Sequence, residues 1–139
     1  MNREFVPYNI ALALKELGFT KACMASYKST GDLKFFDFWQ SNNAIPLEES
    51  YKDICSAPLY QQAFRWFIEE YNLYSIIVPN SLNTDKWRYR IESLNKSIVL
   101  EHGCDQAYWI MGTSVESYEE AEIVCITKLI ELVKSKNHE

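Results

Sequence analysis

The strongest hydrophobic pattern in the chain runs through residues 56–71, SAPLYQQAFRWFIEEY. At 3.6 residues per turn, Tyr60, Phe64, Phe67 and Tyr71 fall on one stripe beside Ala63 and Ile68, with Gln62, Arg65 and Glu69 opposite. The pattern predicts an amphipathic helix with Ser56 as N-cap. Pro58 suits its start, because first-turn amides have no intrahelical partner. Burial of each large stripe residue is worth roughly 1.5–3 kcal/mol, more than any local propensity, so the helix forms by packing on a sheet.

The rest of the chain reads around this helix. Residues 6–17 predict a first helix, with Val6, Ile10, Ala13, Leu14 and Leu17 on one face, Pro7 at the start and Gly18 as a left-handed stop. Two strands follow at residues 21–27 and 33–39, joined by a Ser29-Thr30-Gly31-Asp32 turn. The second carries large apolar groups on both faces, so either both are covered or one forms a site. Residues 40–55 lack a clear period and read as a loop.

Beyond the central helix, residues 74–79 form a compact β-branched strand and residues 80–85 a turn. In residues 86–92, Trp87, Tyr89 and Ile91 alternate with Lys86, Arg88, Arg90 and Glu92, the pattern of a half-buried strand. Residues 93–106 are ambiguous, with a short strand at 98–100 and a turn at His102-Gly103, before a strand at 107–111. Residues 118–134 predict the last helix, opened by a Ser117/Glu120 capping box. Tyr118, Ala121, Cys125, Leu129 and Leu132 form one of its stripes; Ile123, Ile126, Ile130 and Val133 form a second. Two apolar faces need two partners: the sheet, and a neighbouring helix or another subunit.

The order α-ββ-α-βββ-α predicts a single α+β domain over residues 1–139, a mainly antiparallel sheet of about five strands with three helices. An apolar content of 47% over 139 residues supports one core without staples. Cys23, Cys55, Cys104 and Cys125 form no CxxC pair and read as reduced thiols. With no leader-like apolar stretch and no bilayer-length apolar run, the expected location is the cytoplasm and no membrane partner is expected. A net charge of −5 opposes general attraction to nucleic acid.

Three segments, VPYNIALALKELGF at residues 6–19, APLYQQAFRWFIEEYNLY at 57–74 and SYEEAEIVCITKLIELV at 117–133, resemble an uncharacterised family of small proteins. That family is encoded by gut Bacteroides-type bacteria and by their phages and prophages. The resemblance implies a cytoplasmic accessory protein of a mobile element, acting on host machinery or defence signals. It carries over no catalytic or binding residue.

Two constellations have chemistry to offer. Lys86, Arg88 and Arg90 share one side of a strand and could hold an anion, with Trp39 or Trp66 as a pocket wall. A solvated strand face shows the same alternation. Strict alternation also puts Trp87 and Tyr89 on the face opposite the cations. His102-Gly103-Cys104-Asp105 places an imidazole beside a thiol, the components of an activated nucleophile or half a metal site. Residues this close in sequence rarely reach attack geometry, and no four-ligand spacing exists, so the segment reads as a turn. Glu69/Glu70 and Glu119/Glu120 diverge by 100° and do not converge on a substrate.

No P-loop, GxSxG, HExxH or GxGxxG occurs, and neither a cofactor nor a metal is expected. The leading expectation is a non-enzymatic interaction protein that self-associates through Ile123, Ile126, Ile130 and Val133. The alternative is a protein that binds a small anionic ligand or nucleotide through Lys86, Arg88 and Arg90. A third reading is a thiol enzyme at Cys104.

Overall fold

The first helix stops where its backbone requires a glycine. In the computed structural model, which describes residues 2–40, 53–80, 83–94, 100–102, 105–107 and 109–137, α1 spans Tyr8–Leu17. Gly18 then turns left-handed at φ 101°. Its amide donates to Lys15 O at 3.0 Å and that of Phe19 to Leu14 O at 3.0 Å, the double closure of a Schellman stop. Phe19 and Leu14, brought together by that closure, are both fully buried. Pro7 precedes the helix in extended conformation instead of starting its first turn.

The chain divides into two compact units, Met1–Gln62 and Ala63–Glu139. In the first, β1 (Cys23–Lys28) pairs antiparallel with β2 (Leu33–Gln40) in the expected hairpin. Gly31 takes φ 87° there, and its amide donates to Lys28 O at 2.9 Å. A third strand, β3 (Asp53–Ser56), adds to the other edge of β1, giving the order β2-β1-β3. Part of the expected 40–55 loop is therefore a strand; four residues, DICS, are too few to show a period. Residues 41–52 lie outside those described.

This corrects the start of the central helix. Ser56 is no N-cap: it ends β3, fully buried opposite Ser26. Helix α2 spans Tyr60–Tyr71. Its first turn is closed by Gln62, whose Oε1 accepts from the Leu59 amide at 3.1 Å while its Nε2 donates to Ala22 O at 2.9 Å. A residue assigned by pattern to the outer face thus ties the helix start to the chain before β1. The buried stripe is also rotated. Ala63 and Phe67 are fully buried and Trp66 is only 5% exposed, while Phe64 and Tyr71 are half-buried. Trp66 packs edge-on to Phe67 and Tyr71, centroids 5.1 and 5.4 Å away.

The second unit continues directly. Asn72 ends α2 at φ 56°, a left-handed position that asparagine tolerates. Strand β4 (Leu73–Asn80) pairs antiparallel with β5 (Asn83–Ser93), and β5 with β8 (Trp109–Met111). A short ribbon of β6 (Leu100–His102) and β7 (Asp105–Ala107) precedes β8. Helix α3 (Tyr118–Asn137) is capped as expected, with Ser117 Oγ accepting from the Glu120 amide at 3.1 Å.

The protein is thus α+β, with three α-helices and antiparallel strand pairs among the described residues. The expected sheet of about five strands is replaced, among the described residues, by two three-stranded sheets and a two-stranded ribbon. The physical reason lies in the pairing. β1 takes β2 and β3 on its two edges, and β5 takes β4 and β8, so each central strand satisfies its backbone groups within its own ladder.

Candidate functional site

Cross-strand pairing sorts the second sheet into two faces, because directly opposed residues point the same way. The inner face carries Leu73, Ser75, Ile77, Trp87, Tyr89, Ile91 and Ile110. Helix α3 covers it. Cys125 hydrogen-bonds Ser75, and Trp87 meets Tyr118 edge-on with centroids 5.2 Å apart. Burial in this layer pushes the Tyr89 hydroxyl above its usual pKa, and the neighbouring Cys125 and Glu131 add to the shift.

The outer face is chemically mixed. One row across the strands is Tyr74, Glu92, Trp109; the next is Ile76, Arg90, Met111; the third pairs Val78 with Arg88. Tyr74, Ile76 and Trp109 are 39, 41 and 42% exposed, large apolar groups left on the surface beside two arginines. This alters the expectation that cations and aromatics lie on opposite faces. It holds for Trp87 and Tyr89 within β5, but β4 and β8 bring Tyr74 and Trp109 to the cationic side.

The cations are held in different ways. Lys86 pairs with Glu116, just before α3. The Arg90 guanidinium lies 4.8 Å from the centre of the Trp109 ring, and its Nη2 is 2.6 Å from Glu92 Oε1. Arg88 donates from Nε to the Gly112 carbonyl at 3.2 Å, which leaves its two Nη groups without a partner among the described residues. The backbone after β8 supports this geometry. Trp87 and Val115 exchange hydrogen bonds of 2.9 and 2.8 Å, while the Gly112 amide donates to Tyr89 O at 2.9 Å. The strand therefore re-pairs with β5 after passing Gly112, and that bulged passage presents the carbonyl to Arg88.

The other candidate residues fall elsewhere. Trp66 is a core residue of α2, and Trp39 belongs to β2 with its side chain outside the described portion. His102 ends β6 and Asp105 opens β7, paired opposite each other; Gly103 and Cys104, where the turn was expected, lie outside the described residues. Among those described, no cluster of three or more His, Cys, Asp or Glu could hold a metal ion. No helix among them is long and apolar enough to cross a membrane.

The proposed contact stripe of α3 meets a steric correction. Ile126 and Val133 are fully buried and Ile130 is 6% exposed, which leaves only Ile123 of the four at the surface. The wide apolar arc is occupied by the chain's own packing. The residues that sequence reasoning missed, Tyr74, Ile76, Trp109 and Met111, carry no signal of their own; only the pairing of β4 and β8 with β5 places them beside Arg88 and Arg90.

No family model, curated protein or solved structure matches this chain. The functional reading therefore rests on the geometry of this face.

Proposed function

We propose that the chain is a non-enzymatic binding protein that takes an anionic ligand on the outer face of the β4-β5-β8 sheet. The observation that carries this reading is the open end of Arg88. Its Nε is held on a backbone carbonyl, which restrains the half-buried guanidinium and keeps its two Nη groups as donors for a carboxylate or phosphate. Beside it, exposed Tyr74, Ile76 and Trp109 supply apolar contact area of the kind that anchors a ligand. With a net charge of −5 for the whole chain, recognition is local: charges beyond about 8 Å are screened at physiological salt. An accessory role in a mobile element, implied by the resemblance of the three helices, would use such a surface without chemistry.

The test is native mass spectrometry of gently purified protein, wild type against Arg88→Ala with Arg90→Ala. A retained mass, released on denaturation and absent from the double variant, is the expected outcome. Retention of the same mass by the variant would move the site away from this face.

A further inference from the structure

Resting on that reading, we infer that the ligand is a protein segment carrying carboxylate side chains next to aromatic or aliphatic ones, rather than a nucleotide. The aliphatic part of the face argues first. Ile76, 41% exposed, and Met111 flank Arg90 in one row, and aliphatic surface of this kind complements apolar side chains better than the flat face of a base. Exposed Trp and Tyr gathered with half-buried Met and Arg on one sheet face is the composition of a protein-contact centre.

The charges argue second. Glu92 stands between Tyr74 and Trp109 in the row across the strands, so a phosphate chain laid between the two aromatics would meet an anion. Lys86 is already paired with Glu116 and Arg90 with Glu92, which leaves Arg88 as the cation of this face without an ion pair among the described residues. One fork matches one carboxylate, bound bidentately, with a neighbouring apolar side chain seated over Ile76 and Trp109. A polyphosphate would need several donors converging.

The experiment is to pan a random twelve-residue peptide phage library on the folded protein and measure the enriched peptides, fluorescein-labelled, by fluorescence anisotropy. The same anisotropy setting tests ATP as competitor. The inference expects sequences with Asp or Glu beside aromatic or aliphatic residues, and at least tenfold weaker binding to Arg88→Glu. Arg88→Lys, which keeps the charge and loses the fork, should fall between. Trp109→Ala, which removes exposed ring surface and the ring beneath Arg90 but not the Gly112 carbonyl that holds Arg88, should also weaken binding at least several-fold. Circular dichroism and thermal melting confirm that each variant is folded.

No enrichment, enriched peptides without carboxylates, or equal affinity for Arg88→Glu and wild type would each overturn the inference. ATP binding that disappears in Arg88→Glu, with no acidic peptide enriched, would overturn it while leaving the anion-binding reading standing. If neither peptide nor any retained mass depends on Arg88, both fall.

Discussion

The ring of Tyr89 fills the space that a side chain on Gly112 would need: a Cβ there would stand 2.1 Å from Tyr89 Cε1. The same glycine donates its amide to Tyr89 O and offers its carbonyl to Arg88 Nε, so one residue joins the inner layer of the sheet to its outer face.

Gly112→Ala therefore forces the ring or the strand to move, at a cost of about 1–3 kcal/mol by the usual penalty for overpacking. In a Tyr89→Ala background the added methyl finds room. Urea denaturation of the two single variants and the double should show a coupling of about 1 kcal/mol or more. Simple additivity would mean that the ring is not what excludes a side chain at this position.

Ile126→Glu should abolish cooperative unfolding or cost more than about 3 kcal/mol, because it buries a carboxylate with no counter-charge. Ile123→Glu, at a position 39% exposed, should stay within about 0.5 kcal/mol of wild type. Thermal melts by circular dichroism separate the two. A well-folded Ile126→Glu protein of smaller solution mass would instead restore the self-association stripe read from the sequence.

Three thiols make stability fall at alkaline pH. Cys23, Cys55 and Cys125 are fully buried, and burial pushes their pKa values from 9.0 to about 12, about 11 and about 12. For Cys125, the hydrogen bond with Ser75 offsets part of the shift and Glu122 adds to it. Below pH 9 the thiols are protonated in both states. Above it the unfolded chain loses protons that the folded chain keeps, so stability declines as pH rises from 9 toward the folded values. The decline owed to Cys125 is about 1.4 kcal/mol per pH unit. Urea midpoints between pH 8 and 10 should fall less steeply in Cys125→Ala, and an unchanged slope would show that this thiol does not titrate on unfolding.

Glu122 works in the acidic range. Burial, with Glu119 adding repulsion, raises its carboxyl from 4.5 to about 7. A raised carboxyl contributes stability in full below pH 4.5 and loses it as pH climbs to 7. Glu122→Gln should therefore melt higher than wild type at pH 8 and level with it at pH 4. The group is partly solvated, which holds the gain to about 3 °C or less. Equal melting at both pH values would contradict the shift.

Local signals were legible wherever a short stretch of chain completes its own hydrogen bonds or its own period. Gly18 stops α1, Ser117 caps α3 and the Gly31 turn closes the first hairpin, each through contacts within about five residues. The signals failed where the partner is distant. Ser56 looks like a cap until β3 pairs it opposite Ser26, and Gln62 looks solvent-facing until its amide reaches Ala22. Trp66 sits on the flank of the predicted stripe, yet α2 is rotated enough to bury it.

The candidate site divides in the same way. Alternation along β5 was enough to place Lys86, Arg88 and Arg90 on one side of a strand, because side-chain direction has a period of two whatever the strand pairs with. The companions of those cations depend on register. Tyr74 and Trp109 lie 18 residues upstream and 17 downstream of Glu92, the residue that both face, and a shift of one position in either ladder would turn them to the other side. The α3 stripe shows the converse: sequence identified Ile126, Ile130 and Val133 as apolar and co-facial, but only the packed structure decided that they are interior. Periodicity records which residues avoid water and which share a face. What stands opposite that face is set by contacts between distant segments, and those exist only once the chain has folded.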